Sequence, residues 1–110
     1  MKLITLENNG VRFWLRGTTW AFRPDRASQY STIGEAQLAL KAALPFMKPA
    51  LRKLARIVNV DPMHQALATL VTAIMAGAEY PDASARAATH WGVAIDALTA
   101  AYDAAYAFVR

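Results

Sequence analysis

Residues 2–6 alternate along a β-prone run, and Asn9-Gly10 follows, a pair that tolerates positive φ in a tight hairpin. Val11 to Arg16 (VRFWLR) alternates with period two and predicts a second strand. Gly17 permits another turn, and Thr18 to Phe22 reads as a third strand. Pro24 stops it, because proline cannot donate to a ladder. Residues 1–23 therefore predict a three-stranded antiparallel meander. Such a sheet is unstable alone and needs a helix across one face.

The period changes to that of a helix after residue 31. Thr32 with Glu35 is a capping-box pattern, and Ile33, Ala36, Leu40 and Leu44 form a helical stripe that Pro45 ends. A second helix is predicted over Pro49 to Val58, with Leu51, Leu54, Ile57 and Val58 facing one way. Lys48, Arg52, Lys53 and Arg56 face the other. Asp61 is placed as an N-cap with Pro62 in the first turn. The third helix, Met63 to Ala76, is apolar nearly all round and predicts the central buried helix, stopped by Gly77. Pro81-Asp82 opens a fourth helix to about His90, and Val93 to Phe108 gives a fifth. The expected fold is α+β: a meander over 1–23 and four to five helices over 32–110, in a single domain of residues 1–110.

Residues 83–108 have the outline of a helix-turn-helix, with Ala88, Gly92, Val93 and Leu98 at suitable positions and Trp91 as an added packing group. The chemistry departs from the outline. Its second helix offers Ala94, Asp96, Thr99, Ala100 and Asp103 outward, none of which makes paired contacts to base edges. Asp96 and Asp103 would repel phosphates. Ile95, Leu98, Tyr102, Tyr106 and Val109 form the inward stripe. The expected role is a structural corner or a partner surface built from Asp96, Ala100, Asp103 and Ala104, since alanine lets helices approach closely.

At 55% hydrophobic, the 110-residue chain can bury a core. There is no cysteine, which excludes disulfides, thiolate zinc sites and a cysteine nucleophile. The start MKLITLENNG lacks a signal-like apolar stretch, and Ala66 to Ala78 is too short to span a bilayer, so a cytoplasmic protein without membrane attachment is expected. The net charge is +4 and unevenly spread. Residues 1–56 carry ten Lys/Arg and three acids, a net of +7, whereas residues 57–110 net −3. An anionic partner would therefore meet the first half.

Within that half, residues 12–26 (RFWLRGTTWAFRPDR) interleave arginine with aromatics. Alternation puts Arg12, Trp14 and Arg16 on one strand face, with Phe13 and Leu15 on the other, and Trp20 and Phe22 together on the next strand. Arg12, Trp14, Arg16, Trp20, Arg23, Lys48, Arg52, Lys53 and Arg56 are the candidate anion or nucleic-acid contacts, with Trp14 or Trp20 stacking. The other reading is that both tryptophans are core and arginine stems cover them. His64 and His90 fall on different helices without metal-ligand spacing, and no phosphate loop or nucleophile elbow is present. Neither catalysis nor a cofactor is expected.

The meander with arginine and aromatics, followed by YSTIGEAQLAL (Tyr30 to Leu40), resembles the N-terminal arm-type DNA-binding domain of tyrosine integrases over residues 11–44. In that family a three-stranded sheet precedes a helix opened by aromatic-x-Thr-x-x-Glu-Ala, and the sheet enters the major groove. The resemblance implies DNA contact by Arg12, Trp14 and Arg16. No integrase catalytic region follows, so recombination is not implied. In size, basicity and lack of catalytic apparatus the whole chain resembles small accessory proteins of temperate phages, which often bind and disable a host factor. The expected function is a non-enzymatic binder of this kind. It would act on a nucleic acid, a nucleoprotein complex or a nucleotide-like anion through the basic half. The alternatives are a protein–protein or self-association module using the Ala-rich C-terminal helices and, further off, a binder of anionic membrane surfaces.

Overall fold

Asn9 and Gly10 lie at φ +53° and +78°, the pair of positive angles that a type I′ hairpin turn requires. They join β1 (Lys2–Asn8) to β2 (Val11–Arg16), and Gly17, at φ +61°, opens the two-residue turn into β3 (Thr19–Ala21). The structure, a computed structural model, describes residues 1–106. Those residues fall into two compact units that divide between Val60 and Asp61.

In the first unit the sheet has four antiparallel strands in the order β3-β2-β1-β4. The fourth strand corrects the expected helix over 49–58. Helix α2 spans only Pro49–Arg52, and Arg56–Asn59 forms β4. Thr5 pairs with Arg56, Ile4 with Ile57, Leu3 with Val58 and Lys2 with Asn59. β1 would otherwise keep an unpaired row of backbone donors and acceptors, and the β-branched pair Ile57-Val58 suits the extended form that satisfies them. Beyond the end of the β1–β2 ladder, Tyr30 exchanges two backbone bonds with Lys2 (2.7 and 2.9 Å), and Ser28 N–H donates to the Leu15 carbonyl (3.0 Å).

The register sets Ile57, Ile4, Leu15 and Trp20 side by side on one face. Helix α1 (Ile33–Ala43) lies on that face. It begins as expected, with Thr32 Oγ1 accepting from Glu35 N–H (3.2 Å). Ile4, Leu15, Ala36 and Ala43 are fully buried together, and Trp20, Tyr30, Ala39, Leu40 and Ile57 pack around them. The inward stripe thus runs through alanines, which allow a close approach of helix to sheet. Ile33, expected in it, is 55% exposed. A turn of 3₁₀ helix at Leu44–Phe46 follows, where Pro45 cannot extend the α-helical bonding.

The second unit holds α3 (Pro62–Met75), α4 (Tyr80–Trp91) and α5 (Ile95–Tyr106). Asp61 caps α3 by accepting from Met63 N–H (3.0 Å). The expectation of a helix buried all round is corrected: only Ala66 and Leu70 are fully buried, and Met75 is 83% exposed. An apolar side chain is not obliged to be inside, and three helices of this length cannot enclose one of their own number. The buried surface of α4 is instead made of small residues, Ala83, Ser84, Ala87 and Ala88, with Trp91 at its end. The Trp91 indole N–H donates to Thr69 Oγ1 of α3 at 2.9 Å.

Gly92 sits at φ +66°, ψ +35°, the left-handed conformation that ends many helices, and Val93 N–H returns to the Ala88 carbonyl (3.0 Å). Leu98 of α5 is fully buried, and the rings of Tyr80, Tyr102 and Tyr106 follow one another at 5.2 and 4.9 Å. The helix, the glycine turn and the second helix of the expected corner are therefore present. Val109 and the rest of the predicted last helix to Phe108 lie outside the described residues.

Candidate functional site

The division between the units also separates the charges. All ten basic residues and all three acids of the sequence's first half fall within residues 1–60, so the first unit carries a net +7. The nine sequence-predicted contacts all belong to it, but the fold distributes them over several places.

Arg12, Trp14 and Arg16 do share a sheet face: Arg12 lies opposite Glu7, Trp14 opposite Thr5, and Arg16 opposite Thr19. On the same face Arg56 flanks Thr5 from β4. The centre of this face is closed to solvent, with Leu3 at 0%, Thr5 at 5% and Trp14 at 9% exposure. Trp14 is therefore a core residue and presents no open ring for a stacked base. The Arg12 guanidinium lies 6.0 Å from the centre of the Trp14 ring and pairs with Glu7 at 3.3 Å. Its charge is partly neutralised where it stands.

The four cations expected on one basic helix are divided, because α2 stops at Arg52: Lys48 and Lys53 flank it and Arg56 opens β4. Arg52 Nε donates to the Leu44 carbonyl (2.9 Å), and Arg56 Nη1 donates to the carbonyls of Lys53 (2.8 Å) and Ala55 (3.2 Å). These two guanidiniums satisfy backbone acceptors where short helical turns end, a structural duty. Lys48 and Lys53 are exposed.

The convergence of charge and aromatic surface occurs at the free edge of β3. An open groove of about 420 Å³ there is lined by Arg16, Arg23 and Arg26 together with Trp20 and Phe22. Three local features build it. Gly17 and Thr18 turn the chain tightly, so that Arg16 stands beside the start of β3. β3 ends at Ala21, and Pro24 then starts a 3₁₀ turn, Pro24–Arg26, which returns Arg26 to the edge. β3, only three residues long, leaves its outer side unpaired by any other strand of the sheet.

Arg23 is held in two-pronged contact with Asp25, at 3.0 and 2.7 Å. Arg16 and Arg26 are exposed, and no acid among the described residues pairs with either. Trp20 is half-buried against the core beneath α1. Phe22 is 73% exposed, and its ring is braced on Phe13 with centroids 5.2 Å apart. An exposed apolar ring beside three guanidiniums can offer both a stacking surface and positive charge to a flat, anionic group.

Of the groove residues, Arg16, Trp20 and Arg23 are among the sequence-predicted contacts, and Arg26 and Phe22 are not. The signal for Phe22 was available, since it follows Trp20 by two residues and Pro24 stands just after it. Arg26 reaches the groove only through the turn after Pro24, which alternation does not describe.

Asp96, Ala100, Asp103 and Ala104 are exposed on the side of α5 away from Leu98. His64 and His90 are exposed on α3 and α4, and no group of three metal-ligating side chains occurs among the described residues. No helix among them is long and apolar enough to cross a membrane. No protein-family model, curated protein or solved structure matches the chain.

Proposed function

We propose that this chain is a non-enzymatic binding protein that engages a phosphate-bearing partner through the groove at the β3 edge. That partner is a nucleic acid, a nucleoprotein complex or a nucleotide-like ligand. The observation that carries the reading is the meeting of Arg16, Arg23 and Arg26 in one open groove with Trp20 and Phe22. Guanidinium groups match phosphate oxygens in fork geometry, and each contact releases counterions from the partner. A net +7 over residues 1–60 adds a long-range field that raises the rate of encounter. A small binder of this kind acts by occupying its partner, as a regulator or inhibitor of a host process in the manner of the phage accessory proteins it resembles.

The test is binding of a short labelled oligonucleotide, followed by anisotropy across a salt series. The wild-type affinity falls steeply with salt, and Arg16→Ala/Arg23→Ala/Arg26→Ala together abolish it. Lys48→Ala/Lys53→Ala, which changes two cations outside the groove, leaves most of it. Equal losses in the two combined variants would show that charge alone, and not the groove, governs binding.

A further inference from the structure

We infer that the groove takes unpaired nucleotides, with a base stacked on Phe22 and the adjoining phosphates held by Arg16 and Arg26. This rests on the anion-binding reading above and adds the form of nucleic acid. The Phe22 ring stands 73% exposed. It rests against Phe13 at 5.2 Å, and so offers a flat apolar surface to solvent. The faces of bases are available only where strands are unpaired, because a duplex presents base edges and backbone.

Reading a duplex with the sheet face would use the Arg12, Trp14 and Arg16 side. Leu3, Thr5 and Trp14 at its centre are at most 9% exposed, so that side offers no open aromatic ring to a base, whereas the β3 edge offers Phe22. Asp25 already occupies the fork of Arg23, leaving Arg16 before β3 and Arg26 after it as the groove arginines that no acid among the described residues pairs. Two separate cations about an exposed ring suit a sugar–phosphate chain that passes the ring with one base laid upon it.

The experiment compares three probes on the intact chain: oligothymidylate, a duplex of equal length and inorganic polyphosphate. Oligothymidylate binds tightest. Binding changes the tryptophan emission through Trp20, since Trp14 and Trp91 are at most 9% exposed, and Trp20→Phe removes that signal. Phe22→Ala weakens oligothymidylate binding by about tenfold to a hundredfold, the effect of losing one stacked base, and leaves the salt slope unchanged. Phe22→Leu keeps the apolar contact with Phe13 but not the flat ring, and loses affinity likewise, whereas Phe22→Tyr retains it. Arg16→Ala and Arg26→Ala each reduce the slope of log affinity against log salt by about 0.7. Duplex or polyphosphate bound as tightly as oligothymidylate, with Phe22→Leu unaffected, overturns the unpaired-nucleotide inference and leaves the anion groove standing. Failure of all three probes to bind overturns both.

Discussion

Thr69→Val isolates one hydrogen bond with little other disturbance. The Trp91 indole is 1% exposed, and its N–H donates to Thr69 Oγ1 at 2.9 Å. Valine has nearly the shape of threonine and a similar helix propensity, so α3 keeps its form and its packing. What changes is the donor, which stays in place without an acceptor and without access to water. A buried polar group stranded in this way costs about 1–3 kcal/mol, more than the net worth of an average hydrogen bond. Urea unfolding followed at 222 nm reports mainly α3, α4 and α5, which hold most of the helix. With an m-value of about 1–3 kcal/mol/M, a loss near 2 kcal/mol lowers the midpoint by about 1 M at unchanged slope. Thr69→Ser keeps the acceptor and loses only a half-buried methyl, so it falls by less than about 1 kcal/mol. In a Trp91→Phe background there is no donor to strand, and the cost of Thr69→Val vanishes. If Thr69→Val is as stable as wild type, or costs the same with and without the indole, the reasoning fails.

Gly92→Ala meets no atom within 4 Å of the new Cβ, so its cost is the left-handed backbone alone. That is about 1–2 kcal/mol by urea unfolding, and a loss well beyond this would reveal a clash the geometry does not contain. Ile4→Ala empties a fully buried position between Leu15 and Ile57. It destabilises the first unit by about 2–5 kcal/mol in thermal or denaturant unfolding, and a near-neutral result would place Ile4 outside the core. Asp25→Asn releases the Arg23 fork and raises oligonucleotide affinity several-fold at low salt, an advantage that disappears at high salt. An affinity that does not move on this change shows that the carboxylate does not compete for the groove.

Local chemistry made much of the fold legible in the chain. Asn9-Gly10 and Gly17 announce their turns because few other residues tolerate positive φ. Thr32 with Glu35, Asp61 with Pro62, and Gly92 mark helix ends because each supplies a partner or a conformation that a helix terminus lacks. Strand alternation likewise placed Arg12, Trp14 and Arg16 on one face, as the pairing with β1 and β3 confirms. All of these are interactions between residues at most four apart, or follow from the two-residue period of a strand.

The candidate site was half legible, because alternation says which side chains share a face but not whether that face meets solvent. Trp14 and Phe22 are both aromatic neighbours of arginine in the meander segment, yet one is 9% and the other 73% exposed. Partners distant in sequence decided that difference. The same holds for Arg56–Asn59, where four residues cannot display a helical or a strand period unambiguously, and the unpaired edge of β1, some fifty residues earlier, selected the strand. Sequence by itself determined where this chain turns, caps and alternates, since those depend on each residue's own backbone and its near neighbours. Tertiary structure alone decided which edges are paired, which faces are closed and where the arginines converge, because these depend on what segments far apart in the chain leave exposed to one another.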